Sequence, residues 1–320
     1  MPYWLKRIIM VIPLVLGITF VSFFIMQVSP GDPATMFMDP NSSPEDLEQL
    51  RRNFGLDQPI SIQYYEWLKR LCVGDFGFSY VSGKSVLVLI SERLPATLLL
   101  SIVSMIAVLV ITFPLGLISG SRKGSWFDHW VTMGSFIGMS VPSFWMGLIL
   151  ILWLSLSWDI FPTSGYLDPS LTDAGWWEKM TNISHHMVLP LITTIVGSLA
   201  GLTRFHRFGI ISILSKDYIK AARARGISEK RILYIHAFKN SALPIVTILG
   251  LQIPGLISGS FIIETIFAWP GLGQLGVTAV FARDYPVLMG TLFFSSILII
   301  IGNLMADLGY HYIDPRISRK

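Results

Sequence analysis

The sequence predicts an all-α integral membrane protein of six transmembrane helices, with an outer insertion after the first span. Three observations carry that prediction. Over half of the 320 residues are apolar and only 14% are charged, too greasy a mixture for an ordinary soluble domain. Charged residues leave six long gaps, at Ile8–Gly31, Leu94–Ser121, His129–Trp158, Met180–Thr203, Asn240–Ile263 and Tyr285–Ala306. Each gap exceeds the roughly 20 residues that cross about 30 Å of hydrocarbon as a helix. The basic residues then gather on alternate connections, which gives the chain a sidedness.

The first element, residues 1–29, is expected to be a retained span. Its apolar run is longer than the core of a signal peptide, and no small-x-small cleavage pattern follows. Residues 30–93 form the outer insertion, punctuated by SPGDP, by DPNSSP at Asp39–Pro44 and by GDFG at Gly74–Gly77. Within it, PEDLEQLRRNFG reads as a short amphipathic helix with Leu47, Leu50 and Phe54 on one face, and Gln63–Leu71 as a second. The insertion is expected to be a small ordered cap whose aromatics either pack on the bundle or touch a partner.

Residues 94–308 supply the five further helices, and 309–320 a short tail. Pro13, Pro114, Pro142, Pro190 and Pro254 lie within or beside the gaps, which a membrane bundle tolerates because neighbours satisfy the freed backbone groups. The outer segment Asp159–Met180 carries Tyr166, Trp176 and Trp177, expected as interfacial belt residues. The next outer segment, Glu264–Tyr285, contains Pro270-Gly271-Leu272-Gly273, expected as a turn, and then an apolar stretch too short to span. A re-entrant or surface-lying helix fits that stretch. Glu264, at the outer end of the fifth span, is either an interface residue with water nearby or a gate partner.

Charge sets the orientation. With both termini inside, the inner pieces hold Lys6, Arg7, Arg122, Lys123, Arg204, Arg207, Lys216, Lys220, Arg223, Arg225, Lys230, Arg231, Lys239, Arg316, Arg319 and Lys320, 16 of the 24 basic residues. The outer pieces hold Asp32, Asp39, Glu45, Asp46, Glu48 and Asp57. The net charge of +4 is therefore a topology signal, and no nucleic-acid surface is expected.

The inner stretch Lys220–Pro244 is the most informative part of the chain. It carries Lys220, Arg223, Arg225, Lys230, Arg231 and Lys239 against one acid, Glu229. Two helical stretches are expected, separated by Gly226, Ile227 and Ser228, with Ser228 as N-cap of the second. Such a pair suits docking to a soluble partner: Ala221 and Ala222 keep the first helix narrow, and Gly226 permits backbone geometry closed to other residues. The competing reading is that Ala221, Ala222 and Gly226 pack the loop on its own bundle, and composition alone leaves the two even.

Catalytic chemistry finds little support. No GxxxxGK[ST] pattern exists, so ATP hydrolysis by this chain is not expected. The single Cys72 offers no disulfide, metal or redox motif and is expected to be an incidental packing residue. His185 and His186 point about 100° apart on a helix and are not expected to share a metal. His129, His206, His236 and His311 are scattered and expected at interfaces, and Asn182-Ile183-Ser184 matches a glycosylation sequon to which no role is given. Ser140, Ser143, Asn240, Gln252, Ser258 and Asn303 either line a pathway or bond across helices, the second being preferred.

Several fragments together carry a resemblance: SPGDPA, FGLDQPISIQYYEWL, GDFGFSY, RLPATLLL, GMSVPSFW at Gly138–Trp145, the Lys220–Pro244 loop, IIETIFAWPGLG, RDYPV and YIDPRI. In these the chain resembles the permease subunits of ATP-binding-cassette (ABC) importers for dipeptides, oligopeptides and nickel. The resemblance implies a type I ABC importer permease fold in a bacterial inner membrane. It also implies that the inner loop, within 204–242, couples to ATPase subunits through Lys220, Ala221, Ala222, Arg223, Arg225, Gly226, Ser228, Glu229 and Arg231. The general pattern has Glu where Lys220 stands. Its usual proline is replaced by Lys239, with Pro244 five residues later, the longer form familiar in the peptide subgroup. Glu264, Pro270, Gly271 and Gly273 would form an outer gate or turn.

The partners implied are a second homologous permease, two ABC ATPase subunits and an extracytoplasmic solute-binding protein. ATP and Mg would be used by the ATPases, with no cofactor on this chain. The expected cargo is di- or oligopeptide; nickel or a metal chelate is the alternative within the family, and a non-transporting receptor or scaffold the alternative outside it.

Overall fold

The structure is a computed structural model that describes residues 3–28, 34, 43–53, 55–242, 244–245, 248 and 260–313. Most of the expected fifth span, with Gln252, Pro254 and Ser258, lies outside the described residues, as do Asp32, Asp39, Phe54 and the closing residues 314–320. The elements among the described residues are helices, and a lone antiparallel bridge pairs Phe78 with Ser85.

Helix α1 covers Tyr3–Val28 and contains Pro13. Helix α2, Pro44–Asn53, is set by a reciprocal cap: Asp46 N donates to Ser43 Oγ, and Ser43 N donates to Asp46 Oδ2. Helix α3 runs Ile60–Cys72 directly after Pro59. Helix α4, Val86–Ser121, begins eight residues before the charge-free gap because Glu92 and Arg93 fit within its first turns. Helix α5, Trp126–Ser140, starts at Ser125, whose side chain accepts from Asp128 N.

Helix α6, Ser143–Leu150, continues as a π-helical turn, Ile151–Ser157. A 3₁₀ turn at Pro169–Leu171 precedes helix α7, Trp176–Leu214. Helices α8, Asp217–Ala224, and α9, Glu229–Arg231, make the basic loop, and α9 passes into a second π-helical turn, Ile232–Ala237. Three helices close the chain: α10, Phe261–Ile266; α11, Leu272–Phe281; and α12, Tyr285–Ile313.

By length and composition, α4, α7 and the Tyr285–Asn303 part of α12 can each cross a membrane. The expected third span is not straight. Helices α5 and α6 meet at a bend of 101°. Pro142 is the cause: it lacks an N–H and pushes Val141 out of the helical region, to φ −86 and ψ 123. Pro190, by contrast, stays inside α7, where Thr194 Oγ1 donates to its carbonyl.

The chain divides into two compact units. The first comprises 1–95 and 271–300, with a core of Val86, Ile90, Leu272, Ala279 and Val287. In it the cap helix α3 packs through aromatics: Tyr64 lies edge-on to Phe20 and Phe23, and its hydroxyl is 3.0 Å from Thr19 Oγ1. Trp67 meets Phe293 edge-on. These aromatics therefore pack on the unit, while Tyr65 faces outward. Cys72 ends α3 exposed, so it is no packing residue. Buried Asp284 fastens the preceding loop by accepting from Ser79 Oγ and Tyr80 N.

The second unit comprises 96–270 and 301–320. Trp269 is fully buried, donates Nε1 to Ala96 O at 2.8 Å, and sits edge-on to Tyr166. Tyr166 is thus a packing residue, whereas Trp176 and Trp177 remain exposed as belt residues would be.

Candidate functional site

The basic loop forms a helix–turn–helix as the sequence predicts. Gly226 turns it at φ +77, a left-handed conformation that other residues adopt only with strain. A Cβ there would meet nothing within 4 Å, so backbone conformation, and no crowding neighbour, is what demands glycine. Ser228 occupies the N-cap position of α9 without a side-chain cap bond; its carbonyl accepts from Ile232 N instead.

Arg223 reaches across the turn and grips Glu229 with two bonds, Nε to Oε1 at 2.6 Å and Nη2 to Oε2 at 3.1 Å. That planar fork holds the Glu229 carboxyl below its ordinary range and raises the Arg223 guanidinium. Lys220 bonds Asp217 one turn back. Ile219 and Ile232 are fully buried, while Tyr218, Tyr234 and Ile235 stay exposed on the same short loop. The loop is therefore a braced element with an outward apolar face among its cations.

At the base of this loop lies a buried cluster that the sequence reading left out. Arg207 on α7 pairs with Asp128 on α5 by a second fork, with Nη2 to Oδ2 at 2.8 Å. Asp128 also accepts from Ser119 Oγ and Gly124 N, so the carboxylate ties together α4, α5 and α7. Next to Arg207, His206 is fully buried between Phe113 and Phe238, with Nε2 3.1 Å from Ser241 Oγ. His206 is thus a core residue and not an interfacial one, because Gly116 leaves the room its ring fills.

Two glycines make the seam possible. A Cβ on Gly116 would come 2.6 Å from His206 Nδ1, and one on Gly120 would come 2.8 Å from Ile210 Cβ. Gly116 and Gly120 are four apart on α4, the small-xxx-small spacing of close membrane helices. That spacing was present in the sequence as GLISG. Of the residues expected to bond across helices, Ser140 and Asn240 do otherwise: Ser140 Oγ donates to Phe136 O and Asn240 Nδ2 to His236 O, each within its own turn. Glycine close contact joins α4 to α7, and the hydroxyl bonds that cross helices here come from other residues, Ser119 to Asp128 and Ser241 beside His206.

Glu264 is only 1% exposed and accepts from Thr97 Oγ1 at 3.0 Å. The wet interface reading of Glu264 is therefore wrong: Ser260 caps α10 and its first turn carries Glu264 inward. The expected turn is also displaced. The chain turns at Phe267 and Ala268, with Ala268 at φ +47, while Gly271 is the N-cap of α11 and Leu272 and Gly273 are already helical. Glu264 and Pro270 belong to the second unit, Gly271 and Gly273 to the first. His185 and His186 bond different carbonyls, of Ile160 and Asn182.

The helical architecture defines a class. Across 71% of this chain it matches a solved inward-facing MetNI methionine ABC transporter chain, covering 97% of that chain with a TM-score of 0.55 at 18% identity. The fold is that of a type I ABC importer permease. The chain belongs to the family described as the binding-protein-dependent transport system inner membrane component, whose model matches residues 112–319, and the corresponding N-terminal model matches 1–101. It is similar to the oligopeptide transport system permease protein AppB of Bacillus subtilis, 45% identical over 99% of both chains. It is also similar to the dipeptide transport system permease protein DppB of Escherichia coli K12, 36% identical over 99% of this chain and 98% of that one. This is a multi-pass membrane transport subunit of an ABC importer, not an enzyme.

Proposed function

We propose that this chain forms half of a translocation pathway for di- or oligopeptides, and that the α8–α9 loop couples it to separate ATPase subunits. The 45% identity to an oligopeptide permease along nearly the whole chain is the observation that carries the cargo class. The coupling role is supported by the loop itself: a left-handed Gly226, an Arg223–Glu229 brace, and exposed Tyr218, Tyr234 and Ile235 among basic residues. Exposed apolar side chains on a charged element suit a protein partner.

In this reading both termini lie in the cytoplasm, where the basic excess of the loop belongs. The partners are a second, homologous permease, two ABC ATPases that use ATP and Mg, and an extracytoplasmic solute-binding protein. The loop enters a cleft on an ATPase along Ala221 and Ala222, with Lys220, Arg225 and Arg231 at its rim. ATPase closure moves α8 and α9 as one braced piece. The buried Asp128–Arg207 fork at the base passes that motion to α5 and α7. Solute then crosses by alternating access, one bundle rocking against its counterpart. Glu264, Pro270, Gly271 and Gly273 serve the outer closure.

The test is uptake in native cells of a labelled dipeptide, a labelled longer peptide and nickel, comparing wild type with Gly226→Arg at matched membrane abundance. Loss of peptide uptake alone is the expected result. Loss of nickel uptake alone overturns the cargo assignment, and unchanged uptake of the transported solute overturns the coupling role.

A further inference from the structure

The first unit holds a cavity of about 580 Å³, and every residue lining it falls within 1–95 or 271–300. The end of α1, the connection from α2 to α3, one face of α3, the 75–80 loop and the start of α12 build it together. Its walls are fixed. Trp67 and Phe76 both pack edge-on against Phe293, Tyr80 N donates to Asp284, and Gly77 N donates to Asp75 Oδ1 at 2.9 Å. An apolar, preformed shell with a few polar groups is the usual make-up of a small-molecule site.

The polar groups on these walls are largely unspent. Helix α3 brings Glu66 and Arg70 to the same cavity one turn apart, about 6 Å along its axis. Residues at that spacing commonly pair, as Arg52 and Glu48 do on α2 at 3.7 Å. Glu66 and Arg70 do not: among the described residues, neither side chain takes part in an ion pair or a hydrogen bond. The side-chain amides of Gln27 and Asn53 line the same cavity and are equally uncommitted among the described residues. Arg70 opposes the rise that burial, Asp284 and Tyr285 impose on the Tyr80 phenol, which sets its guanidinium close to that ring. An acid, a base and two amides thus share one aromatic-walled space without answering one another.

We propose that this cavity binds a short peptide with both ends free, its ammonium at Glu66, its carboxylate at Arg70 and its side chains among Phe23, Trp67 and Phe76. The fit is one of spacing as well as sign. Consecutive Cα atoms are about 3.8 Å apart, which sets the charged ends of a di- or tripeptide about 6–10 Å apart. A simple anion would leave Glu66 unanswered, and a simple amine would meet Arg70. Gln27 and Asn53 can bond peptide amides, which are the same in every sequence, while aromatic walls accept varied side chains. The inference rests on the peptide cargo proposed above.

The experiment uses the complex of both permeases and both ATPases in lipid nanodiscs, without solute-binding protein, so that any discrimination belongs to the membrane subunits. Benzoylphenylalanine replaces Phe78, an exposed residue of the cavity wall, and is photolysed with radiolabelled alanyl-phenylalanyl-alanine. Unlabelled tripeptide should compete for the crosslink. Its N-acetyl and C-amide forms should each compete about ten-fold more weakly, the loss of one bond to a charged group. Arg70→Gln should abolish discrimination against the amide and keep that against the acetyl form, and Glu66→Gln should do the reverse. Arg70→Lys keeps the charge and should behave as wild type, as should Lys69→Gln, an exposed α3 residue that does not line the cavity. Equal competition by free and capped peptides overturns the proposal, as does an unchanged preference in either Gln variant. A crosslink from position 78 to a protein chain in place of the peptide also overturns it. Uptake of the same tripeptide, with binding protein added, keeps the two readings apart. Uptake without discrimination at the crosslink overturns this site alone, whereas no peptide uptake by wild type overturns the cargo assignment.

Discussion

Asp128 ties together three helices of the second unit, since its two oxygens accept from Gly124 N in the loop before α5, from a serine of the preceding helix and from a distant guanidinium. Removing only its charge leaves the mostly buried Arg207 guanidinium unpaired. Asp128→Asn should therefore lower stability by about 3–5 kcal/mol, whereas Asp128→Leu/Arg207→Met, which removes both charges, should cost much less. Thermal unfolding of the purified complex distinguishes the two. Glycines make a second contrast. Gly116→Ala forces the His206 ring aside and should cost about 1–3 kcal/mol. Gly226→Ala meets no atom and should cost about 1–2 kcal/mol through its left-handed backbone alone. Denaturation midpoints should fall for both, but Gly226→Asn, which tolerates this conformation, should recover most of its loss.

At the scale of elements, charge spacing foretold the long helices α4 and α7 and the two-helix form of the basic loop. It did not foretell the 101° break between α5 and α6, because a proline in a membrane helix can either kink it, as Pro142 does, or be absorbed, as Pro190 is. The choice depends on neighbours, which sequence order does not supply. The outer turn was missed by a few residues for a related reason: Pro270 and Gly271 invite a turn, yet Gly271 fits equally well as a helix N-cap. The Asp128–Arg207 pair escaped notice since both residues sit just outside charge-free gaps and look like flanking charges. Two pH responses belong here. Glu229 titrates lower when folded, so its contribution is present above the ordinary value of 4.5 and lost as pH falls through the folded one. Near neutrality the brace stays ionised, so its titration should give transport no pH dependence there. Tyr80, raised to about 12 by burial and by the Asp284 carboxylate, favours the folded loop below pH 10 and loses that contribution as pH rises towards 12. Phenolate absorbance should show Tyr80 titrating late, with Tyr166 also raised by burial, and Asp284→Asn should shift the Tyr80 component earlier.

The whole molecule is a transport subunit whose sequence covers its bacterial relatives from end to end, so its pattern of spans, cap and loop was legible through many weak fragments acting together. Cargo was less legible, because the polar residues within the spans serve equally well to line a path or to bond between helices. At this scale the prediction concerns energy coupling. Purified alone, the chain should show no ATP turnover. Assembled with its partners, the Gly226→Arg complex should hydrolyse ATP at a rate no longer stimulated by loaded binding protein, and vesicle uptake should fall by at least about ten-fold, roughly 1.4 kcal/mol of lost coupling. Wild-type stimulation in that variant would place the loop outside the coupling path.

The fork between Asp128 and Arg207 also sets a timetable for biogenesis. Its two ends are 79 residues apart, so at about 5–20 residues per second a ribosome needs about 4–16 s to deliver the arginine after the aspartate. Throughout that interval the acid must wait near a lipid surface without its cation. Ser119 and Gly124, both made beforehand, already donate to its oxygens. The nascent hairpin of α4 and α5 can thus enter the bilayer with its carboxylate hydrogen-bonded, and the fourth span, on arrival, finds its docking point already assembled.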